Sequence, residues 1–208
     1  MSRDTARAAT QFFGGRVCLD FANTMDWRTS QAPQELIPDY AALLSWSKAR
    51  RTMAAAAIAK LQARGERKAA AAVMQQAYAL RAEIWKVAEA LRSAERVHLE
   101  ALNRSLAAVP AQPRLIRDGA GYVHDLPGGA PEEVLWPVLW SLTALLASDD
   151  AGRLGCCQAH GCGWFFVDES PNHSRLWCSS EVCGNRERAR RAYAKRRPKA
   201  ARRMAKPA

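Results

Sequence analysis

The sequence predicts a mainly α protein with a minor β component. A helical N-terminal domain with one small β-hairpin fills residues 1–150, a small ββα module follows over 151–197, and a basic tail over 198–208. Three observations carry that prediction. Residues 66–93 place Val73, Ala77, Leu80, Ile84, Val87 and Leu91 at three- and four-residue spacing, the stripe of one buried helix face. The period changes in "PRLIRDGAGYVHDLPGG" (113–129), where two β-prone runs flank Asp118-Gly119-Ala120-Gly121 as a hairpin. Five of the six cysteines lie between residues 156 and 183, directly ahead of a burst of arginine.

In chain order, "PDYAALLSWSKA" (38–49) offers Pro38 near a first turn, with Tyr40, Leu43, Leu44 and Ser47 at helical spacing. "TMAAAAIAKLQARG" (52–65) begins with Thr52 as a cap and stops at Gly65. The long helix of 66–93 comes next, then a shorter one in "RVHLEALNRSLAA" (96–108). After the hairpin, Pro131, Glu132 and Glu133 open the last helix of the body, with proline in a first turn and acids at the positive dipole end. Its apolar run, "VLWPVLWSLTALLA", is fourteen residues long. Spanning a bilayer takes roughly 20, so the run reads as a core helix and no membrane partner is expected. Asp149-Asp150-Ala151-Gly152 marks the seam before the cysteines.

Composition narrows the function classes. A hydrophobic content of 49% supports a buried core without disulfides. The opening "MSRDTARAATQFF" has no apolar signal-peptide region, which predicts a cytoplasmic protein, nucleoid-associated if its partner is DNA. In that compartment clustered cysteines are more often metal ligands than disulfide partners. The net charge of +11 is uneven: residues 1–150 hold 18 Lys+Arg against 16 Asp+Glu, whereas residues 151–208 hold 13 against 4. From Arg186 onward there are 11 basic residues and one acid, Glu187. This asymmetry predicts a nucleic-acid-facing end on a near-neutral body; the plainer alternative is a solvated solubility tail. No H-E-x-x-H, P-loop, dinucleotide glycine fingerprint or nucleophile elbow is found, so a binding protein is expected rather than an enzyme.

Cys157, Cys162, Cys178 and Cys183 form C-x4-C, fifteen residues, then C-x4-C. Two short pairs separated by a hairpin-sized insert can set four thiolates tetrahedrally around one structural Zn²⁺, in a treble-clef-like ββα arrangement. Gly161 and Gly163 flank the second cysteine, where the backbone must turn sharply. "WFFVD" and "RLW" supply two β-prone arms joined by "ESPNHS", and Ser179 or Ser180 caps the helix that follows. His160 is an alternative to Cys157 as ligand, and Cys18 and Cys156 read as packed thiols. Metal binding is expected to hold residues 153–197 folded while the body stands without it.

The stretch "CQAHGCGWFFVDESPNHSRLWCSSEVCGNR" (157–186) resembles the CGNR zinc finger, named for Cys183-Gly184-Asn185-Arg186. Upstream, "VCLDFANTMDWR" (17–28), "LLSW" (43–46), "YALR" (78–81) and "LN" (102–103) resemble the ABATE domain that precedes such fingers. The resemblance implies a bacterial, stress-induced transcription regulator with zinc on the four cysteines already named. The chain departs from the pattern at Leu176, where a second arginine often follows Arg175, and at His173, where glycine is common.

In the helix from about Ser180 to Arg197, Ala189, Ala192 and Tyr193 fall on one narrow apolar stripe. Arg186, Arg188, Arg190, Arg191, Lys195, Arg196 and Arg197 cover the remainder, a like-charge crowding that calls for a polyanion, DNA first and RNA second. Arg175 is placed with these nucleic-acid contacts. Asn185 either reads adenine or supports the metal turn. A body of 150 residues exceeds what a finger needs, which predicts a homodimer surface or a pocket for a small-molecule effector. Asp20, Asn23, Asp26 and Trp27 are the candidate pocket; the alternative is that they cap and pack the first elements of the body.

Overall fold

The computed structural model describes residues 11–64, 67–109, 114–119, 121–126 and 129–196. The body holds α1 (Val17–Ala22), the two-residue strands β1 (Met25–Asp26) and β2 (Gln34–Glu35), α2 (Tyr40–Arg50), α3 (Ala55–Arg64), α4 (Arg67–Arg92), α5 (Glu100–Ala107), strands β3 (Arg114–Asp118) and β4 (Gly121–Asp125), and α6 (Trp136–Leu146). The cysteine module holds β5 (Leu154–Cys156), β6 (Phe165–Val167) and α7 (Asn185–Arg196). The fold is mainly α with minor β, as the periodicities predict. Gly65, the expected stop of α3, lies outside the described residues, as do Arg197 and the basic tail.

The most regular stripe in the sequence becomes the wall of the core. Val73, Ala77, Leu80, Ile84 and Val87 of α4 are buried, and Leu91 packs at the edge of the same cluster. The short helix α1 lies against α4 and α6 with five of its six residues buried. The other face of α4 holds the loop after α1. Arg81, only 3% exposed, donates to Thr24 Oγ1 at 2.9 Å and to the Glu35 carboxylate. Tyr78 Oη donates to the Ile37 carbonyl at 3.2 Å, and Trp85 Nε1 donates to the Ala22 carbonyl at 3.1 Å. Three of the polar groups on this face of α4 thus satisfy backbone or buried side-chain atoms that would otherwise be orphaned.

The start of α2 agrees with the sequence reading and that of α3 differs from it. Asp39, one residue after Pro38, caps α2, its carboxylate accepting the Ala42 N–H at 2.8 Å. Thr52 does not cap α3: its hydroxyl is buried and bonded to Ser47 Oγ at 2.6 Å, and the helix begins at Ala55. The buried Ser47 hydroxyl needs a partner inside the core, and that need outweighs a cap in solvent. Before α6, residues Pro131–Leu135 form a 3₁₀ turn in which Glu133 reaches back to the Ala130 N–H at 3.0 Å.

The β pairing of the module is a correction. "WFFVD" and "RLW" do not pair with each other. Phe165–Val167 instead pairs antiparallel with Leu154–Cys156, in the register Leu154↔Val167, Gly155↔Phe166 and Cys156↔Phe165. Residues 175–177 form no strand, though the Leu176 carbonyl accepts the Gln158 N–H at 3.0 Å. The reason is the burial demand of β6. Its alternate side chains serve two cores: Phe165 and Val167 enter the helical core, while Phe166, with Trp164, enters the cluster that contains the four cysteines.

Asn23 seals this junction. Its Nδ2 donates to the Phe165 carbonyl at 2.8 Å, and its Oδ1 accepts the Phe165 N–H at 2.8 Å. Replacing Asn23 with Ala strands both backbone groups of a fully buried residue. The expected cost is about 2–4 kcal/mol, read as a lowered midpoint in urea unfolding with an unchanged slope.

Candidate metal centre and nucleic-acid interface

Four thiols converge at one point. The Sγ atoms of Cys157, Cys162, Cys178 and Cys183 lie within 4.8 Å of one another, and all four residues are buried and unbridged. Sγ–Sγ separations are 3.4 Å for Cys178–Cys183, 3.7 Å for Cys162–Cys183 and 3.9 Å for Cys162–Cys178. Thiolates about 2.3 Å from a tetrahedral Zn²⁺ stand about 3.8 Å apart, so the set fits one structural zinc ion. Hydrogen bonding among these thiols pushes Cys157 down and both Cys162 and Cys178 up, the mark of four ionisable groups crowded at one point.

The local sequence explains the convergence. The Cys157 N–H donates to the Trp164 carbonyl at 2.8 Å, closing the first knuckle across the β5–β6 pair. Gly161 (φ 78°) and Gly163 (φ 66°) take the left-handed backbone of that turn. A Cβ on Gly163 would come within 2.4 Å of Thr29 Cγ2, so only glycine fits under the body's loop. At the second pair, Ser179 caps a single π-turn, Ser180–Gly184, by accepting the Val182 N–H at 3.2 Å, and α7 continues from it. His160 is exposed and outside the thiol set, so Cys157 is the ligand. Burial pushes the Cys18 thiol up to about 11 and also raises Cys156; neither reaches the centre. His173 has φ 47°, which accounts for the glycine common at that position.

The cations predicted to meet nucleic acid divide by position. Arg175 stands apart from the others. Its guanidinium donates to the carbonyls of Trp177, Val167, Phe13 and Cys178 and lies 4.2 Å over the Phe166 ring, so four of its five donors are used inside the protein. Arg186 stacks 4.1 Å over Trp27, with Nη2 3.4 Å from Cys183 Sγ. Arg188 donates to the Ser180 carbonyl and to Asn185 Oδ1, and Asn185 itself is exposed. Arg190 pairs with Glu187 at 3.0 Å. Arg191 and Lys195 are exposed without a partner among the described residues. The backbone of Arg196 ends α7. The stripe of Ala189, Ala192 and Tyr193 packs on nothing described; Tyr193 is 71% exposed.

At the candidate pocket of Asp20, Asn23, Asp26 and Trp27, the side chains are engaged with neighbouring groups of the protein. Asp20 accepts the Gly14 N–H at 2.8 Å and Arg50 Nε at 2.7 Å, while burial pushes its carboxyl up. Asn23 holds Phe165. Asp26 accepts the Trp27 N–H at 2.8 Å, and Trp27 (φ 52°) carries Arg186. A separate cavity of about 570 Å³ lies between α4, α5 and α6, with Leu80, Leu102, Val109, Trp136 and Leu139 in its wall.

Two residues of the site were not singled out from the sequence. Arg28 straps the body to the finger: its N–H donates to the Cys162 carbonyl at 3.1 Å and its Nε to the Gly163 carbonyl at 3.0 Å. Its Nη2 pairs with Glu89 of α4 at 3.0 Å, and its guanidinium lies 4.5 Å over Phe165. Glu187, the lone acid of the basic run, is buried and accepts the His160 N–H at 3.0 Å. That bond and Arg190 hold its carboxyl below the usual range. The signal for Glu187 was its sign, one acid among eleven bases; for Arg28 the sequence offers only adjacency to Trp27.

Two family models match the chain in order. Residues 15–149 match ABATE, described as "Putative stress-induced transcription regulator", and residues 153–196 match the CGNR zinc finger. No curated protein matches the chain. No helix among the described residues is long and apolar enough to cross a membrane.

Elemental analysis of protein purified without added metal is expected to give one zinc per chain. Chelation is expected to release the finger and, in addition, to lower the melting temperature of the body, because Phe165 and Val167 belong to its core. Near-ultraviolet circular dichroism and helix content followed together will separate this outcome from a finger that melts alone.

Proposed function

The chain belongs to the ABATE family and carries a CGNR zinc finger, and from that premise we propose that it is a zinc-dependent DNA-binding transcription regulator. The observation that carries the reading is the graded fixing of α7. Its first turn is built into the metal centre by Cys183, buried Glu187 and the Arg186–Trp27 stack, while its far end presents Arg191 and Lys195 to solvent. A helix with a set entry angle and free cations along its outer half is what groove docking requires. Arg188, held by two acceptors, and Arg190, held by one, keep further N–H donors for phosphate or for guanine. The closed four-thiolate centre leaves zinc no open position for a substrate water, which supports a structural ion and a non-enzymatic role. The cavity between α4, α5 and α6, rather than the Asp20 cluster, is where the body would take an apolar effector. The protein would act in the cytoplasm, on the nucleoid.

A second reading, RNA or single-stranded binding, is favoured by one feature: the exposed Tyr193 ring among cations, which offers a stacking surface. Selection of bound sequences from random DNA and RNA pools decides between them. A strong DNA consensus supports the regulator, and an RNA preference turns the reading to the alternative.

With about six cations on phosphate, the slope of log K against log salt is expected near −5. Arg191→Ala and Lys195→Ala should each reduce that slope by about 1 and weaken all DNA sequences alike. Trp27→Ala, which frees Arg186 and loosens the helix entry, should instead erode discrimination between sequences. Binding indifferent to salt would contradict the proposal.

A further inference from the structure

In the hairpin β3–β4 most of the attachment to the body is through β4, while β3 is touched at its end by Arg51, whose Nη2 donates to the Asp118 carbonyl at 2.7 Å. β4 is held to the body: Met53 bridges His124, the His124 ring lies 5.0 Å from Trp140, and Val123 and Leu126 are buried. β3 pairs with β4 alone among the described residues. Its register, Asp118↔Gly121, Ile116↔Val123 and Arg114↔Asp125, is that of a hairpin closed by a two-residue loop. In such a hairpin the loop-flanking residues exchange both hydrogen bonds. Arg114, Ile116 and Asp118 therefore direct their backbone groups toward β4, and Leu115 and Arg117 direct theirs outward. The outer face also carries exposed apolar area, with Leu115 68% and Tyr122 76% exposed. Edges are normally blunted by short length, charged side chains, proline, a bulge or a covering element; β3 is short and carries three charges in five residues, but has no proline, bulge or covering element among the described residues.

The sequence of the strand specifies the occupant. "RLIRD" (114–118) is self-complementary when laid antiparallel on itself about Ile116. Leu115 then faces Arg117 of the second copy and exchanges both outward hydrogen bonds with it, and Arg114 faces Asp118 at each end. Opposite charges directly across an antiparallel pair are favourable and like charges are not. We propose that β3 is a self-association edge, where two copies of this chain join their hairpins into one four-stranded antiparallel sheet around a two-fold axis at Ile116.

Two strands of five residues bury less than a standard stable interface, so the association is weak, in the range where dimer and monomer coexist. Two tethered basic helices would then gain from adjacent half-sites. The pairing itself does not rest on the DNA reading, and its test uses protein free of nucleic acid.

Sedimentation velocity of the full chain from roughly 1 to 300 µM is the measurement. The unaltered chain should shift from one toward two chain masses. Arg114→Asp and Asp118→Arg each place like charges at both ends of the pairing and should weaken association about tenfold or more. An equimolar mixture of those two variants should associate as the unaltered chain does, because each altered end then meets its opposite charge. Leu115→Pro removes an outward N–H without touching the β4 ladder and should also abolish association, with an unchanged melting temperature. If Leu115→Pro fails to fold, the charge-swapped mixture decides alone. A chain that stays monomeric throughout, or single charge variants that associate normally, would overturn the proposal and leave the edge to a strand from another protein.

Discussion

One strand holds this molecule together. β6 offers Phe165 and Val167 to the helical core and Phe166 to the cysteine cluster, so a single three-residue segment is interior to both. Alternation along a strand makes this compulsory: whatever fixes one face fixes the other. Asn23 then locks both backbone groups of Phe165 from the side of the body. The metal centre is therefore part of the protein's interior, and the orientation of the helix that leaves it is inherited from the body.

The loop after α1 makes that inheritance explicit. Trp27 lies under Arg186 and the Arg28 amide caps the carbonyl of a zinc ligand. The Arg28 side chain reaches back to Glu89 on the same α4 helix that lines the 570 Å³ cavity. A displacement of α4 would be felt at the first turn of α7 through one ion pair and one ring stack. Packed side chains and rigid helices are the ordinary carriers of such coupling. Interior contacts also explain why the charges nearest the metal are the least free. Arg175 and Arg186 do positioning work on carbonyls, a sulfur and aromatic rings, and the free positive charge accumulates one to three turns out.

Charge pattern and packing thus answer why cysteines and arginines sit side by side. Zinc supplies a stability that the few apolar residues of the module cannot, and it does so at the root of a helix whose own like charges disfavour it. Glu187 tempers that repulsion where it is greatest, buried at the knuckle and bonded to the His160 amide. The same helix without its metal-bound first turn would have neither a fixed axis nor a reason to stay helical.

What the sequence determined by itself were the features with a local physical cause. The three-four stripe of α4, the hairpin around Asp118-Gly119, the proline–acid start before α6 and the four thiolate ligands all follow from period, turn chemistry or spacing, which need no knowledge of distant residues. The features that failed or stayed open depend on partners far away in the chain. Thr52 reads as a cap until Ser47 is seen beside it in the core. "RLW" reads as the partner of "WFFVD" until Leu154–Cys156 takes that edge. Asp20, Asn23, Asp26 and Trp27 read as pocket walls because an isolated segment shows polar groups without the amides, guanidinium and rings that satisfy them. Arg175 reads as a phosphate contact because a charge in a sequence carries no record of four carbonyls around it. Local preferences are written residue by residue, but which buried polar group meets which is decided only when separate segments close into one interior and its donors and acceptors, Glu133 Oε2 excepted, find partners there.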